Sequence, residues 1–353
     1  MSIAEPAAAE SLEDLEARRI DPSKPLLEVD RLVMHYKIKA GEVSAVEDVS
    51  FTVHEGESVG LVGESGCGKT SIALSLLRLL PSNAEFISGE IRLNGEDLLW
   101  LSPEEMRQRR WKEIAMVFQG AMNSWNPVYR VGDQIRETLD THYRGVMSYD
   151  EQRAHMEKLF TSVGLQPTML DRYPHEFSGG MRQRAVIAMA LACSPQLIIA
   201  DEPTTALDVI VQDQILKELK RIQAEMGMSI IYISHDIAVI AEVTDSLGVM
   251  YAGKLVEYGP TADIFARPRH PYAYLLLRST PSITGPRRQL APLEGEPPDL
   301  FRPPTGCRFH PRCPFATEVC ATDEPPLADI GGGHRVACWH HDEVPELEEA
   351  LQR

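Results

Sequence analysis

Gly63-Glu64-Ser65-Gly66-Cys67-Gly68-Lys69-Thr70 fits the pattern G-x-x-x-x-G-K-[ST] at every position. The setting matters as much as the letters. The apolar run 58–62 precedes the stretch, and an apolar, helix-like segment over 71–80 follows it, ended by Pro81. A strand, a glycine-rich turn and a helix in that order aim successive backbone N–H groups at phosphate oxygens, and the helix N-terminus adds its positive dipole end. Lys69 is placed to neutralise β- and γ-phosphates and the Thr70 hydroxyl to ligate Mg²⁺. The reading is therefore an ATP site. Its expected contacts are Gly63, Glu64, Ser65, Gly66, Cys67, Gly68, Lys69, Thr70 and the adjoining Ser71, with Cys67 as filler at a variable position.

Outward from the loop, the runs 58–62, 197–200 and 230–233 are continuously apolar, as strands buried on both faces are. Each leads into polar or Gly-rich residues and then a helical pattern, which predicts an α/β domain with a largely parallel sheet. Residues 247–251 and 254–258 flank Ala252-Gly253 and read as a β-hairpin. The run 197–200 ends in Asp201-Glu202. Two adjacent acids at the end of a buried strand are costly unless a cation or partner compensates. The functional reading gives Asp201 to Mg²⁺ and makes Glu202 the general base for water, with burial and mutual repulsion raising one of the two pKa values. The alternative is a strand that simply surfaces with solvated acids. Ser178-Gly179-Gly180, at the start of another helix, forms either a second anion cradle or a plain N-cap.

Composition narrows the class. Of 353 residues 43% are apolar and the net charge is −17, so the chain lacks the basic balance that phosphate recognition in nucleic acids needs. Residues 1–16 hold five carboxylates and no Lys or Arg, which marks an acidic tail over 1–24. There is no secretory signal pattern, and the longest apolar stretch, 186–200, is too short and broken to span a bilayer. A soluble, cytoplasmic chain is expected, with any membrane spans in other subunits. Between 281 and 304 seven of 24 residues are proline, an extended linker, and a Cys-rich segment follows over 306–340.

GESGCGKT, Gln119, FSGGMRQR, LIIADEP, Ala206-Leu207-Asp208 and His235 occur in this order. Together they resemble the Walker A, Q-loop, signature, Walker B, D-loop and switch histidine of ABC-transporter ATPases, over roughly residues 26–260. The resemblance implies a parallel-sheet core with a helical subdomain over 25–260. It also implies that Tyr36 stacks on adenine, where the alternative is an ordinary strand aromatic. Gln119 touches Mg²⁺ or the attacking water and senses the membrane partner. His235 contacts the γ-phosphate and holds Glu202, where the alternative is a solvated helix cap. Ser178, Gly179, Gly180 and Asp208 serve the nucleotide of an opposing subunit, so the working unit is a dimer. Phe177 and Met181 depart from the common LSGGQ signature while the serine and glycines are kept. That variant, with VFQGAMNSWNP over 117–127, resembles one of the two paralogous ATPases of oligopeptide and dipeptide importers. The implied partners are a paralogous ATPase in a heterodimer, two transmembrane permease subunits and an extracytoplasmic solute-binding protein, with the chain peripheral on the cytoplasmic face. Related importers carry nickel, sugars or antibiotics. DNA-repair ATPases of this type need a long coiled coil between loop and signature, and the 115 positions from Gly63 to Ser178 leave no room for one. Translation factors of this type carry two such domains.

Cys307, Cys313, Cys320 and Cys338 are separated by five, six and seventeen residues. Disulfides do not suit a cytoplasmic chain, and the C-x₂₋₄-C pair usual for zinc is absent. Four thiolates suit an iron–sulfur cluster. On spacing alone cluster and zinc stand level, and four unligated thiols is the plain alternative. His270-Pro271-Tyr272 and GCRFHPRCPFA resemble the C-terminal extension of oligopeptide-importer ATPases, which implies a [4Fe–4S] site in a small domain within 261–353. Cys193 reads as core packing.

Overall fold

The computed structural model describes residues 20–205, 207–279 and 293–345. Most of the acidic tail, the first part of the Pro-rich linker and Ala206 lie outside the described residues. No described helix is long and apolar enough to cross a membrane.

Two sheets form the body. In the first, β1 (Pro25–Ile38), β2 (Gly41–His54), β4 (Ala84–Leu93) and β5 (Glu96–Asp97) pair antiparallel in the order β2-β1-β4-β5. Burial in β1 and β2 tends to alternate along the strand, as expected of strands with one face on a core. The sequence reading of a largely parallel sheet did not separate this layer.

The second sheet has the order β11-β12-β10-β9-β3-β8-β7-β6. At its centre β3 (Ser58–Val62), β6 (Ile114–Val117), β7 (Leu197–Asp201), β8 (Ser229–Ser234) and β9 (Ser246–Tyr251) run parallel. All five residues of β3 and of β7 are buried, which is why those runs are apolar without alternation. β9 turns into β10 (Lys254–Pro260) through the predicted hairpin at Ala252-Gly253. Because the central strands are parallel, their C-terminal ends lie along one edge. That edge receives the phosphate loop from β3, Asp201 from β7, His235 just beyond β8 and Gln119 just beyond β6.

The helix after the loop, α1 (Lys69–Leu76), is shorter than the expected 71–80. It stops where Leu77 caps it and Arg78 turns to a positive φ of 49°. After α2 (Pro103–Arg109) come α3 (Val131–Tyr143), α4 (Tyr149–Ser162) and α5 (Gly179–Ala190). Their apolar faces, including Ile135, Leu139, Phe160 and Val186, join one core with Val117, Ile198 and Tyr232 of the sheet. α6 (Val209–Met226) follows, capped by Asp208 and ended at Gly227, and α7 (Ile237–Ala241), α8 (Thr261–Ala266) and α9 (Pro271–Ser279) complete the body.

The Cys-rich segment does not stand apart as the sequence reading had it. β12 (Arg335–Val336) pairs with β10 and β11 (Ala328–Asp329) with β12, so the segment extends the main sheet. Phe309 is fully buried against Tyr251, Tyr272 and His270, with ring centroids 5.0, 5.4 and 5.8 Å away. A segment so poor in apolar residues cannot close a core of its own and shares its host's.

Candidate nucleotide site

The loop's path requires glycine at two points. Gly63 has φ 151°, and a Cβ there would lie 2.2 Å from the Met250 carbonyl oxygen. Gly68 has φ 104°, and its Cβ would lie 2.3 Å from the Ala45 carbonyl oxygen. A side chain at either position would push the loop off the strands that hold it. Cys67 is buried beneath the loop, and burial raises its thiol pKa. Its place as packing matches the sequence reading. Cys193 is likewise buried in the core.

Lys69 is almost fully buried, and its Nζ donates to the carbonyls of Gly63 (2.6 Å) and Glu64 (3.0 Å). The Thr70 hydroxyl donates to Asp201 Oδ2 at 2.9 Å. Asp201 is 1% exposed, and its Oδ1 is buried with no hydrogen-bond partner. An oxygen in that position is a donor atom suited to a hard cation, and Thr70 supplies a second.

Glu202 has the left-handed φ of 45°, uncommon for its type. That twist, fixed by its N–H donating to Ile233 O at 2.8 Å, turns its carboxylate into a hub. Gln119 Nε2 donates to Oε2 at 2.6 Å, Thr205 Oγ1 donates to Oε2 at 2.8 Å, and His235 Nδ1 lies 2.9 Å from Oε1. Three strands thus meet on one carboxylate.

The expected rise of one pKa in the acid pair falls on Asp201. Burial pushes the Asp201 carboxyl above its ordinary range, and the Glu202 charge adds to this against the Thr70 hydrogen bond. Burial acts on Glu202 in the same sense, but the hydrogen bonds of His235, Thr205 and Gln119 and the His235 charge outweigh it. Glu202 ends below its ordinary value. The group that burial disturbs is the expected metal ligand, not the expected base.

A cleft of about 300 Å³ is lined by Tyr36, Val43, Ala45, Ser65, Gly66, Gly68, Lys69, Thr70, Ser71, Gln119, Glu202 and Leu300. The Tyr36 hydroxyl is 3.1 Å from Ser71 Oγ. Leu300 comes from the C-terminal segment, and sequence reasoning missed it. The Glu64 carboxylate faces Arg312, another residue that sequence reasoning missed. The Glu64 N–H donates to the Tyr272 hydroxyl at 2.9 Å. Nothing local marks Leu300, Tyr272 or Arg312, which lie more than 200 positions beyond the loop.

Ser178, Gly179, Gly180 and Asp208 are not among the residues lining this cleft. Ser178 caps α5, accepting from Met181 N at 3.4 Å, and Asp208 caps α6, accepting from Val211 N at 3.0 Å. Both are exposed, and Val209 and Ile210 beside Asp208 are about 70% exposed.

Cys307, Cys313, Cys320 and Cys338 line one pocket, with His310, Trp339 and His340 among its walls. All four are unpaired thiols. Burial raises Cys307, takes Cys313 up to about 11 and Cys338 up to about 12. Backbone N–H groups of residues 309 and 310, 315 and 340 oppose that rise at Cys307, Cys313 and Cys338 respectively. Among the described residues no three His, Cys, Asp or Glu side chains are grouped to hold a metal ion.

Two family models match the chain: ABC transporter over residues 46–205, and oligopeptide/dipeptide transporter, C-terminal region, over residues 256–320. The dipeptide transport ATP-binding protein DppD of Bacillus subtilis is 45% identical over 91% of this chain and 96% of its own length. The oligopeptide transport ATP-binding protein OppD of Salmonella typhimurium is 43% identical over 93% and 98%. Among solved structures, the dimeric, post-hydrolysis ATP-binding cassette MJ0796 bound to ADP and Pi is 27% identical with a TM-score of 0.60, covering 67% of this chain and 98% of its own. With identity of this order over nearly the full length of both chains, the protein belongs to the ABC transporter ATP-binding proteins, in the branch that carries the oligopeptide/dipeptide transporter C-terminal region.

Proposed function

We propose that this ATPase powers a peptide-class importer on the cytoplasmic face of the cell membrane. ATP closes two cassettes face to face, and hydrolysis reopens them. The motion drives two permease subunits fed by an extracytoplasmic solute-binding protein. The observation that carries the reading is the convergence of Lys69, Thr70, Asp201, Glu202 and Gln119 at one edge of the parallel sheet. The peptide class is supported by the matching C-terminal region and by relatives that carry dipeptide and oligopeptide transport in their names.

Each residue has a part. Lys69 exchanges the carbonyls of Gly63 and Glu64 for β- and γ-phosphate oxygens. Thr70, the unpartnered Oδ1 of Asp201 and Gln119 would hold Mg²⁺, which when bound neutralises charge on the phosphates. Glu202 takes the proton of the attacking water. Its three hydrogen-bond partners keep it ionised and oriented, so the base works through alignment rather than a raised pKa. His235 holds Glu202 on one side and reaches the γ-phosphate on the other. Tyr36 and Leu300 frame the adenine. Ser178, Gly179, Gly180 and Asp208 face outward to complete a partner's site, and exposed Val209 and Ile210 belong to that contact. The partner is a paralogous cassette in a heterodimer. A groove of about 540 Å³ next to Gln119, lined by Trp111, Phe118 and Trp125, takes the permease.

We further infer that residues 261–353 form a functional extension of the 25–260 cassette, behind the acidic 1–24 tail, and that Cys307, Cys313, Cys320 and Cys338 hold a [4Fe–4S] cluster. The four thiols line one pocket, and four thiolates are the ligand set that such a cluster takes. The backbone N–H groups directed at three of the sulfurs are the stabilisation that thiolate ligands need.

The test is ATP-dependent uptake into vesicles containing this chain, its partner cassette, the permeases and the binding protein. Di- or oligopeptide uptake is expected, and Lys69→Ala should abolish it. Movement of nickel, sugar or antibiotic but no peptide would overturn the class. Iron with absorption at about 400 nm supports the cluster, and zinc without a visible band removes it.

A further inference from the structure

Glu64 is the one carboxylate in the phosphate loop. It stands beside the place where a polyanion binds, so its charge must be answered. Arg312, from the turn between Cys307 and Cys313, answers it with a two-pronged contact: Nη1 to Oε2 at 2.7 Å and Nη2 to Oε1 at 3.0 Å. The guanidinium is itself held. Its Nε donates to Glu294 O at 2.9 Å, Nη1 also reaches the Tyr251 hydroxyl at 3.2 Å, and the group lies over the Tyr251 ring. Only 7% of its side chain is exposed, against 24% for Glu64, so solvent screens the pair weakly.

The same turn is anchored a second time. Arg308 donates to Ala252 O and to Ser44 Oγ (3.2 Å) and lies 3.5 Å from Glu47. Ser44 N in turn donates to the carbonyl of Leu300, which lines the nucleotide cleft. The C-terminal segment therefore braces the nucleotide site from one side through two arginines and a backbone contact.

We propose that Arg312 is a positioning residue of the nucleotide site. It neutralises Glu64 and holds that carboxylate away from the incoming phosphates, so the Cys-bearing segment is a working part of ATP binding. Without the arginine, Glu64 is an unpaired negative charge next to the triphosphate, and like charges at that range weaken binding steeply. A planar fork also fixes direction in a way that a lysine's point charge does not.

This rests on the loop being the ATP site, and the experiment separates the two ideas. Calorimetric titration of the full chain with a Mg²⁺-bound, non-hydrolysable ATP analogue is run on wild type, Lys69→Ala, Arg312→Ala, Arg312→Lys and the double variant Arg312→Ala/Glu64→Gln. Arg312→Ala should bind about tenfold more weakly, and Arg312→Lys, which keeps the charge but not the fork, should fall between it and wild type. The double variant should return to within about threefold, because removing the unanswered charge removes the need for the arginine. A merely structural arginine gives no such rescue. Wild-type affinity in Arg312→Ala, or a double variant as weak as Arg312→Ala, overturns the proposal. If wild type and Lys69→Ala bind the analogue equally, the site assignment itself fails.

Discussion

One buried carboxylate helps to fasten the C-terminal segment to the sheet, and His334→Ala tests its part. Glu257 in β10 is 0% exposed. Its Oε1 receives the Arg269 N–H at 2.7 Å and faces His334 Nε2 at 2.7 Å, and its Oε2 receives the His270 N–H at 2.9 Å. Removing the imidazole deletes one hydrogen bond to a charged group, worth about 1.5–3 kcal/mol, and leaves a buried oxygen short of a donor. The oxygen left short of a donor places the loss at the upper end of that range, about 3 kcal/mol. The loss falls first on the local opening of β12, whose continuation at Ala337 donates to Val256 O at 2.9 Å. Native-state hydrogen exchange reads that amide directly, and about 3 kcal/mol corresponds to roughly 100-fold faster exchange if opening is local. His334→Gln, which keeps an N–H donor, should lose about 1 kcal/mol. Acceleration below threefold in His334→Ala would refute the view that this pair fastens the segment.

Glu202→Gln keeps the hub's shape but removes the base. Turnover should fall by about 10²–10⁴ while nucleotide still binds and a closed dimer accumulates; near-normal turnover removes Glu202 from that role. Tyr36→Ala should weaken ATP binding by about 1 kcal/mol, and Tyr36→Phe should recover most of it, since stacking needs the ring and not the hydroxyl. Equal loss in both variants would assign the effect to the Ser71 contact instead. Glu47 links the body to Arg308. Burial alone would raise its carboxyl, but the Ser44 and His35 hydrogen bonds and the Arg308 charge set it below its ordinary 4.5. A depressed carboxylate stabilises the fold fully above its unfolded pKa and loses that contribution as pH falls through the folded value. Thermal midpoints of wild type and Glu47→Gln should therefore differ near neutrality and converge below about pH 4.5; parallel curves down to strong acid would contradict this.

What the sequence disclosed and what it hid divide by the range of the interactions. The run 58–62 and the loop after it were legible because both are local: five buried residues, mostly apolar, then glycines where the backbone meets Met250 and Ala45. The order of the acid pair was not. Adjacent acids in a sequence announce repulsion, but burial raises Asp201 while His235, Thr205 and Gln119, brought in from elsewhere, lower Glu202. The tail was read as separate because its prolines and cysteines look self-contained. It joins the body through a two-residue strand, a buried phenylalanine and the side chains of Arg308, Arg312 and His334, signals too short or too distant to detect by pattern. Arg312 and Glu64 lie 248 positions apart and had no shared local mark.

These long-range contacts tie the cysteine-bearing segment to the phosphate loop. Tyr251 ends the strand beside β3 and packs at a tilt against Tyr272, ring centroids 4.6 Å apart; Tyr272 accepts the N–H of Glu64, and Phe309 packs on both rings. Arg312 then closes the path from the cysteine turn to the loop's carboxylate. Every member of this chain of contacts is buried or nearly so, and well-packed interiors transmit displacement rather than absorb it. A segment too small to hold its own core therefore gains order by lying against the sheet edge and the phosphate loop. By the same contacts, the loop's charge and shape depend on that segment being in place.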